Sequence, residues 1–426
     1  MPVDTYNLFQ QVSLLKKTAN MPILSKGDNE SLRSALNTAV NNLFQNSLYN
    51  WSLAWGPQVW KFDQSNTSTP PDNAWYVAHA NMTFPDGKQY DTYVVAIAGT
   101  AAKSDYDWKV EDFDVGDVVD FNAWVQGWNS NIQDPNNFKV QKGQIDLTKP
   151  YIALGTAIGV FQVLTNKSNT SPTKQGPSVF DFLSGLSGDN IRIIFTGHSL
   201  GGALSPTAAL GMVQSGVLKA GNVIAYPSAG ASPGEQNFAN LFNKTFPQST
   251  PNDYQTWNAD FYNDRDIVPQ AWSTDAKASP DRNLNNIFTI YPHLDKGAKD
   301  FVNNLLGPEQ AAIQNTGITY MPIQGVAFQG PKPVVWVVTK DQLLIAVAKA
   351  HLGAYHDQIF GSNKMGSARP PAMGQVYRDF VDTPGVHRLN VVEFARLLPI
   401  FRRAQESDFS DEALDVYPLD FLLDQQ

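Results

Sequence analysis

Apolar residues along this chain recur at two spacings, one near 3.6 and one near 2, and the switches between them mark out most of its secondary structure. Residues 6–18 carry a Leu/Phe stripe at helical spacing. Residues 29–51 carry a second, with Asp28 or Asn29 placed to cap it. Residues 62–73, rich in Ser, Thr, Pro and Asp, read as a loop. Residues 75–84 and 90–97 read as strands, and Pro85-Asp86-Gly87 between them predicts a hairpin. Residues 99–113 form a polar loop, and 114–137 show no clear period. Ile152, Leu154, Ile158, Phe161 and Leu164 predict a helix over 150–166, followed by a Ser/Thr/Pro/Lys surface loop to 177.

A β-branched and aromatic run, Ile191, Ile193, Ile194 and Phe195, predicts a fully buried strand. Gly197-His198-Ser199-Leu200-Gly201 follows it, and then an Ala/Leu-rich helix. Further on come a strand at 221–225, a helix at 238–246 and a strand ending at 260–262. The long interval 271–332 holds one helix, at 295–306. A strand at 334–338 and a helix at 341–351, capped by Thr339, complete the pattern, with another helix at 391–401. Strand and helix alternating in this way define an α/β fold with an open, mostly parallel central sheet flanked by helices.

Composition narrows the class. The chain has 426 residues, 42% of them hydrophobic, with 24 Phe, 15 Tyr and 10 Trp, enough to bury a large core. A net charge of −9 leaves no electrostatic footprint for nucleic acid or an anionic membrane. No apolar run reaches the roughly 20 residues of a transmembrane helix. The absence of cysteine excludes disulfides, thiolate metal sites and cysteine catalysis. No basic-then-apolar leader opens the chain. The compartment stays open, with a soluble secreted protein slightly favoured over a cytoplasmic one. After Arg403 come seven acidic residues and no basic one, which reads as a solvated end.

Gly197-His198-Ser199-Leu200-Gly201 is a G-x-S-x-G between a strand and a helix, the arrangement of a nucleophile elbow. The competing reading is a serine that merely caps the helix. A serine nucleophile needs a base, and the base an orienting acid; on α/β-hydrolases these follow in the order Ser, Asp or Glu, His. Asp266 follows a strand and is the acid candidate, with Asp260 and Asp264 as rivals. His293, His351 and His356 lie in the right interval, and position alone does not rank them. An oxyanion hole needs two N–H donors. Leu200, just after the serine, would supply one. The loop after the apolar strand ending in Gly99-Thr100 would supply the other.

Five patches in order resemble the class 3 lipases, the α/β-hydrolase family that includes fungal triacylglycerol lipases and feruloyl esterases. They are Val94 to Thr100 with Asp107, Trp108 and Asp112; Lys139 to Gly143; Thr196 to Ala203; Tyr226 to Gly230 with Asn237 to Ala239; and Asn263 to Pro269. The resemblance spans roughly 75–360. It implies Ser199 as nucleophile, Asp266 as acid and Thr100 with Leu200 as the oxyanion hole. It favours His351 as base, because an aromatic, Tyr355, follows four positions later; His356 is second and His293 third.

Two departures stand out. Ala98 replaces the arginine that usually precedes Gly-Thr, which puts in doubt a buried ionic support of that loop. The interval from Asp266 to His351 is long, which implies an inserted cap at about 271–332. The implied organisation is an N-terminal helical extension (1–74), a catalytic domain (75–360) and a C-terminal extension with an acidic tail (361–426). The family's lid would fall at 101–113, where Lys103, Ser104, Asp105, Asp107, Lys109, Glu111 and Asp112 make an unusually polar sequence. The implied activity is carboxylic ester hydrolysis through an acyl-enzyme, with no metal or cofactor required. Acylglycerols are the leading substrates, with soluble short-chain or aromatic esters as the alternative. Expected partners are the ester substrate and, transiently, a lipid interface. The rival from another class is a non-catalytic binding member.

Overall fold

The computed structural model describes residues 6–99, 114–171, 174–332, 336–361 and 387–388. Its centre is a seven-stranded sheet: β1 (Ser52–Trp60), β2 (Asn73–Thr83), β3 (Gln89–Ile97), β4 (Ile191–His198), β5 (Val223–Ser228), β6 (Asp260–Asn263) and β7 (Gly325–Phe328). The strands stand side by side in the order in which they occur in the chain. β1, β2 and β3 pair antiparallel, while β3 to β7 are parallel. The turn at 85–87 closes the β2–β3 hairpin, with Gly87 at a φ of 77° that favours glycine. This is an α/β-hydrolase sheet, mixed but mostly parallel and flanked by helices.

Both faces of the sheet are covered, which is why its inner strands read as unbroken apolar runs. Tyr76, Ala78, Val94, Ala96 and Ile194 face α1 (Leu8–Ala19) and α2 (Asn29–Asn46). Their neighbours Trp75, Val77, Val95, Ile97, Ile193 and Phe195 face α3 (Leu154–Thr165) and α4 (Leu200–Gln214). α5 (Gln236–Thr245) adds Phe238 and Phe242 to this second side; α6 (Lys296–Thr316) and α7 (Lys340–Ala348) add Val302, Leu305, Leu343 and Leu344 to the first. Capping follows the sequence signals: Asp28 accepts from Ser31 N–H at the start of α2, and Thr339 forms a capping box with Gln342 at the start of α7.

Several elements differ from expectation. The second N-terminal helix stops at Asn46, and residues 52–60 form β1. Gly56 and Pro57 mask this strand in the sequence; they are tolerated because β1 is an edge strand whose pairing shifts register around them. The expected loop at 166–177 contains an antiparallel pair, Lys167–Ser171 with Lys174–Ser178, too polar to show an alternating pattern. Residues 336–338 are not strand. Val338 carbonyl instead accepts from Asp295 N–H at the head of α6, and the sheet edge is β7. α6 itself runs through Pro308 to Thr316 and stops at the left-handed Gly317, φ 84°.

Residues 271–332 hold both α6 and β7. Tyr320–Met321 joins Gly234–Glu235, Tyr151–Ala153, Val118–Asp120 and Lys139–Val140 in a second sheet. Of the C-terminal extension, His387–Arg388 pairs with Ser25–Lys26; the expected helix at 391–401 and the acidic tail lie outside the described residues.

Candidate active site

β4 runs through the middle of the sheet and ends in a turn that only small residues allow. Ser199 adopts φ 62° and ψ −127°, a conformation strained for a residue with a side chain, and α4 begins at the next residue, Leu200. A Cβ on Gly197 would sit 2.1 Å from the Gly201 carbonyl oxygen, and one on Gly201 2.5 Å from that of Ile97. The glycines of the motif are therefore imposed by close backbone approach. Ser199 Oγ is lifted to the carboxyl edge of the sheet, at the start of α4. The free N–H groups of that helix end, Leu200's first among them, favour negative charge. Ser199 N–H donates to the Ser228 carbonyl at 3.1 Å, which ties the elbow to β5.

Asp266 lies in the loop after β6 and is fully buried. Its Oδ1 accepts from Val268 N–H at 3.0 Å. Its Oδ2 accepts from His351 Nδ1 at 2.7 Å and from the Tyr355 hydroxyl at 2.9 Å. His351 is itself buried, in a short π-helical segment, Lys349–Gly353, between α7 and α8 (Ala354–Phe360). Such a segment re-aims the side chains on it, and π-bulges gather at functional sites. With Nδ1 held by Asp266, Nε2 is the imidazole nitrogen left for another partner.

Asn263 braces this pair. Its Nδ2 donates to the Ala350 carbonyl at 2.9 Å, and its N–H donates to the Tyr355 hydroxyl at 3.0 Å, so that hydroxyl is fixed as donor toward Asp266. Burial, first, and the Asp266 charge, second, hold the Tyr355 phenol protonated well above its ordinary range. The sequence offered Tyr355 only as an aromatic after a histidine, and Asn263 only as the first residue of the Asn263–Pro269 patch, with no role attached. Neither role is visible without the fold, since each hydrogen bond joins residues about 90 positions apart.

The rival candidates are occupied elsewhere. Asp260 pairs with Arg282 at 2.9 Å and accepts from Gly230 N–H. Asp264 accepts from Gly330 N–H. His293 is exposed and stacks on Trp336 with ring centroids 4.1 Å apart. His356 points toward Phe360, and burial lowers it to about 3.

Thr100 and residues 101–113 lie outside the described residues. Gly99, immediately before them, passes the elbow: a Cβ there would lie 3.4 Å from Ser199 Cβ. Gly99 N–H donates to Asn20 Oδ1 at 2.9 Å, so the C-cap residue of α1 supports this strand end where the family's arginine is missing. Among the described residues no group of three or more His, Asp or Glu side chains is placed to hold a metal ion.

A strained serine stands between β4 and α4 of an open α/β sheet, and His198 of the same elbow contacts the segment that carries the buried His351–Asp266 pair. A model of the lipase (class 3) family matches residues 94–275, the segment that holds both Ser199 and Asp266, and over that segment the chain is similar to the family. Among solved structures, M37 lipase is 20% identical over 84% of this chain and 94% of its own, with a TM-score of 0.58. That likeness is one of fold. A lipase from Rhizopus microsporus var. chinensis (14%, covering 62% of this chain and 70% of its own, TM-score 0.32) and a mono- and diacylglycerol lipase from Aspergillus oryzae (17%, 62% and 74%, 0.31) are also similar. No curated protein matches the chain. Among the described residues no helix is long and apolar enough to cross a membrane.

Proposed function

We propose that this protein cleaves carboxylic esters through an acyl-enzyme formed on Ser199, with acylglycerols as the leading substrates. The observation that carries the reading is the buried 2.7 Å contact between His351 Nδ1 and Asp266 Oδ2, two residues 85 apart in sequence. Ser199 Oγ attacks the ester carbonyl while His351 Nε2 takes its proton. Asp266 holds the imidazole in the tautomer with Nδ1–H and stabilises the imidazolium that forms. Leu200 N–H and the Thr100 residue supply the oxyanion hole. His351 then passes the proton to the leaving alcohol. Water, activated by the same imidazole, releases the acid.

The polar sequence at 101–113 supports a second substrate class, soluble short-chain or aromatic esters, because an interfacial segment needs a broad apolar face. The likeness to proteins described as lipases supports the first. The rival reading, a binding member without catalysis, gives no reason to bury a hydrogen-bonded acid–imidazole pair beside the elbow.

One experiment separates these readings. p-Nitrophenyl esters of increasing chain length, dissolved and emulsified, are offered to wild type and Ser199→Ala. Turnover by wild type that vanishes in the variant is the expected outcome. A preference for long emulsified chains selects the lipase reading, and one for short dissolved chains the esterase reading. Two equally inactive proteins would leave only the binding reading.

A further inference from the structure

α1 precedes the family-matched segment 94–275, yet it places a lysine against the elbow. Lys16 is 5% exposed. Its Nζ donates to Ser228 Oγ at 2.8 Å and sits over the Tyr226 ring, 4.8 Å from the centroid. Among the described residues no carboxylate lies within ion-pair distance of it; Asp260 acts on it only at longer range. Burying an ammonium without a paired anion costs stability, and a methionine or leucine would fill the same space more cheaply. Burial brings Lys16 down to about 7, with the Asp260 charge opposing.

What Lys16 touches leads to the base. Ser228 Oγ lies 3.0 Å from His198 Nδ1, and His198 Nε2 lies 2.8 Å from the His351 carbonyl oxygen. The direction of every bond follows from the partners. A carbonyl only accepts, so His198 Nε2 carries a proton. Burial first, then the neighbouring His351 and Lys16, lower His198 well below its ordinary value, so it is neutral and its Nδ1 is bare. Nδ1 must accept, so the Ser228 hydroxyl donates to it. Ser228 Oγ is held in that sense because its own lone pair receives Lys16.

We propose that Lys16 and Ser228 are positioning residues for the base: the chain from Lys16 through Ser228 and His198 to the His351 carbonyl fixes the His198 tautomer and thereby anchors the π-helical segment that aims His351 at Ser199. Without Lys16, the Ser228 hydroxyl is free to turn and accept. His198 then populates the tautomer with the proton on Nδ1, which sets a bare Nε2 against the His351 carbonyl. Two lone pairs facing at that distance repel, and His351 is displaced from the elbow. Displacement by a fraction of an ångström is enough to slow a step that depends on a near-attack geometry. The tautomer part of this is independent of the catalytic reading; the catalytic part rests on the reading of Ser199, Asp266 and His351 given above.

The test uses full-length wild type, Ser199→Ala, Lys16→Met, Ser228→Ala and the double Lys16→Met/Ser228→Ala. Steady-state p-nitrophenyl ester hydrolysis is measured alongside 15N NMR of the histidine side chains, with thermal melts to confirm folding. In wild type the His198 signals should report a proton on Nε2 alone. Lys16→Met should mix the tautomers and lower kcat about tenfold with KM within twofold. Ser228→Ala, which removes one buried oxygen, should lower kcat similarly, and the double variant should be no worse than the poorer single one. If Lys16→Met fails to fold, Ser228→Ala carries the test alone. Unchanged kcat with an unchanged His198 tautomer in the folded variants would overturn the proposal, as would additive losses in the double variant. An inactive wild type would refute the ester-hydrolase reading and the catalytic part with it, while the NMR arm would still decide the tautomer chain.

Discussion

The Tyr355 hydroxyl donates to Asp266 Oδ2 at 2.9 Å, on the same oxygen that accepts from His351 Nδ1 at 2.7 Å. One carboxylate oxygen thus serves both the imidazole it orients and a phenol that keeps it in place. Tyr355→Phe removes that donor and leaves Asn263 N–H without its acceptor. The variant should lose about 1–3 kcal/mol of stability, the range for an unpaired buried group. Its kcat should fall by about three- to thirtyfold, since Asp266 keeps only Val268 N–H and His351. Melting curves and steady-state rates measure the two effects. Rates at the wild-type level would show that Tyr355 packs without orienting the acid.

Asn20 Oδ1 holds Gly99 N–H at the strand end that leads into the expected oxyanion residue. Asn20→Ala frees that N–H and loosens the backbone beside Ser199. The expected outcome is a loss in kcat of about three- to tenfold with KM little changed. That is smaller than the 10² to 10³ for deleting an oxyanion donor itself. Asn20→Asp keeps an acceptor and should recover most of the loss. Equal rates for the alanine and aspartate variants would argue that the contact is structural only.

His356 and His351 sit five residues apart and should behave oppositely. His351→Ala should reduce kcat by several orders of magnitude, whereas His356→Leu should leave it within about twofold. The second variant should instead change the acid side of the stability curve. Burial, with Lys17 adding to it, lowers His356 to about 3, against about 6.5 in an unfolded chain. Between those values the unfolded chain binds a proton that the folded one refuses. The stability tied to neutral His356 is therefore complete above about pH 6.5 and is lost as pH falls toward 3, at about 1.4 kcal/mol per pH unit. Chemical denaturation of both proteins from pH 3 to 8 reads this directly. Parallel curves for wild type and His356→Leu would contradict it.

Much of this molecule was written in local patterns. β2, β3, β4 and their helices follow from apolar runs, a Pro-Asp-Gly turn and caps at Asp28 and Thr339, because burial period and turn chemistry act over a few residues. The tight turn at Ser199 was legible for the same reason: Gly197 and Gly201 are required by backbone contacts that form wherever a strand turns so sharply into a helix. Position and resemblance together narrowed the acid to Asp266 and favoured one of three histidines.

Local patterns misled where they were overridden or absent. Gly56 and Pro57 hid β1, which survives as an edge strand because an edge tolerates a missing donor and a shifted register. The paired strands Lys167–Ser171 and Lys174–Ser178 are polar in sequence and carry no alternating pattern. Val338 was drawn to the head of α6 instead of a sheet.

What tertiary structure alone decided is the meeting of distant residues. Lys16 reaches Ser228, 212 residues away, and His198 reaches the His351 carbonyl, 153 away. Asn263 and Tyr355 close around Asp266 across some 90 residues. A hydrogen bond has a direction and a length near 3 Å, and no residue type or spacing encodes which distant partner will satisfy it. The sequence by itself could place Ser199 on an elbow and, through its resemblance, favour Asp266 as the acid of the proposed reaction. Only the packing of α1 and of the His351 segment against that elbow determined what His351 and His198 touch, because that geometry exists only when the sheet has brought both there.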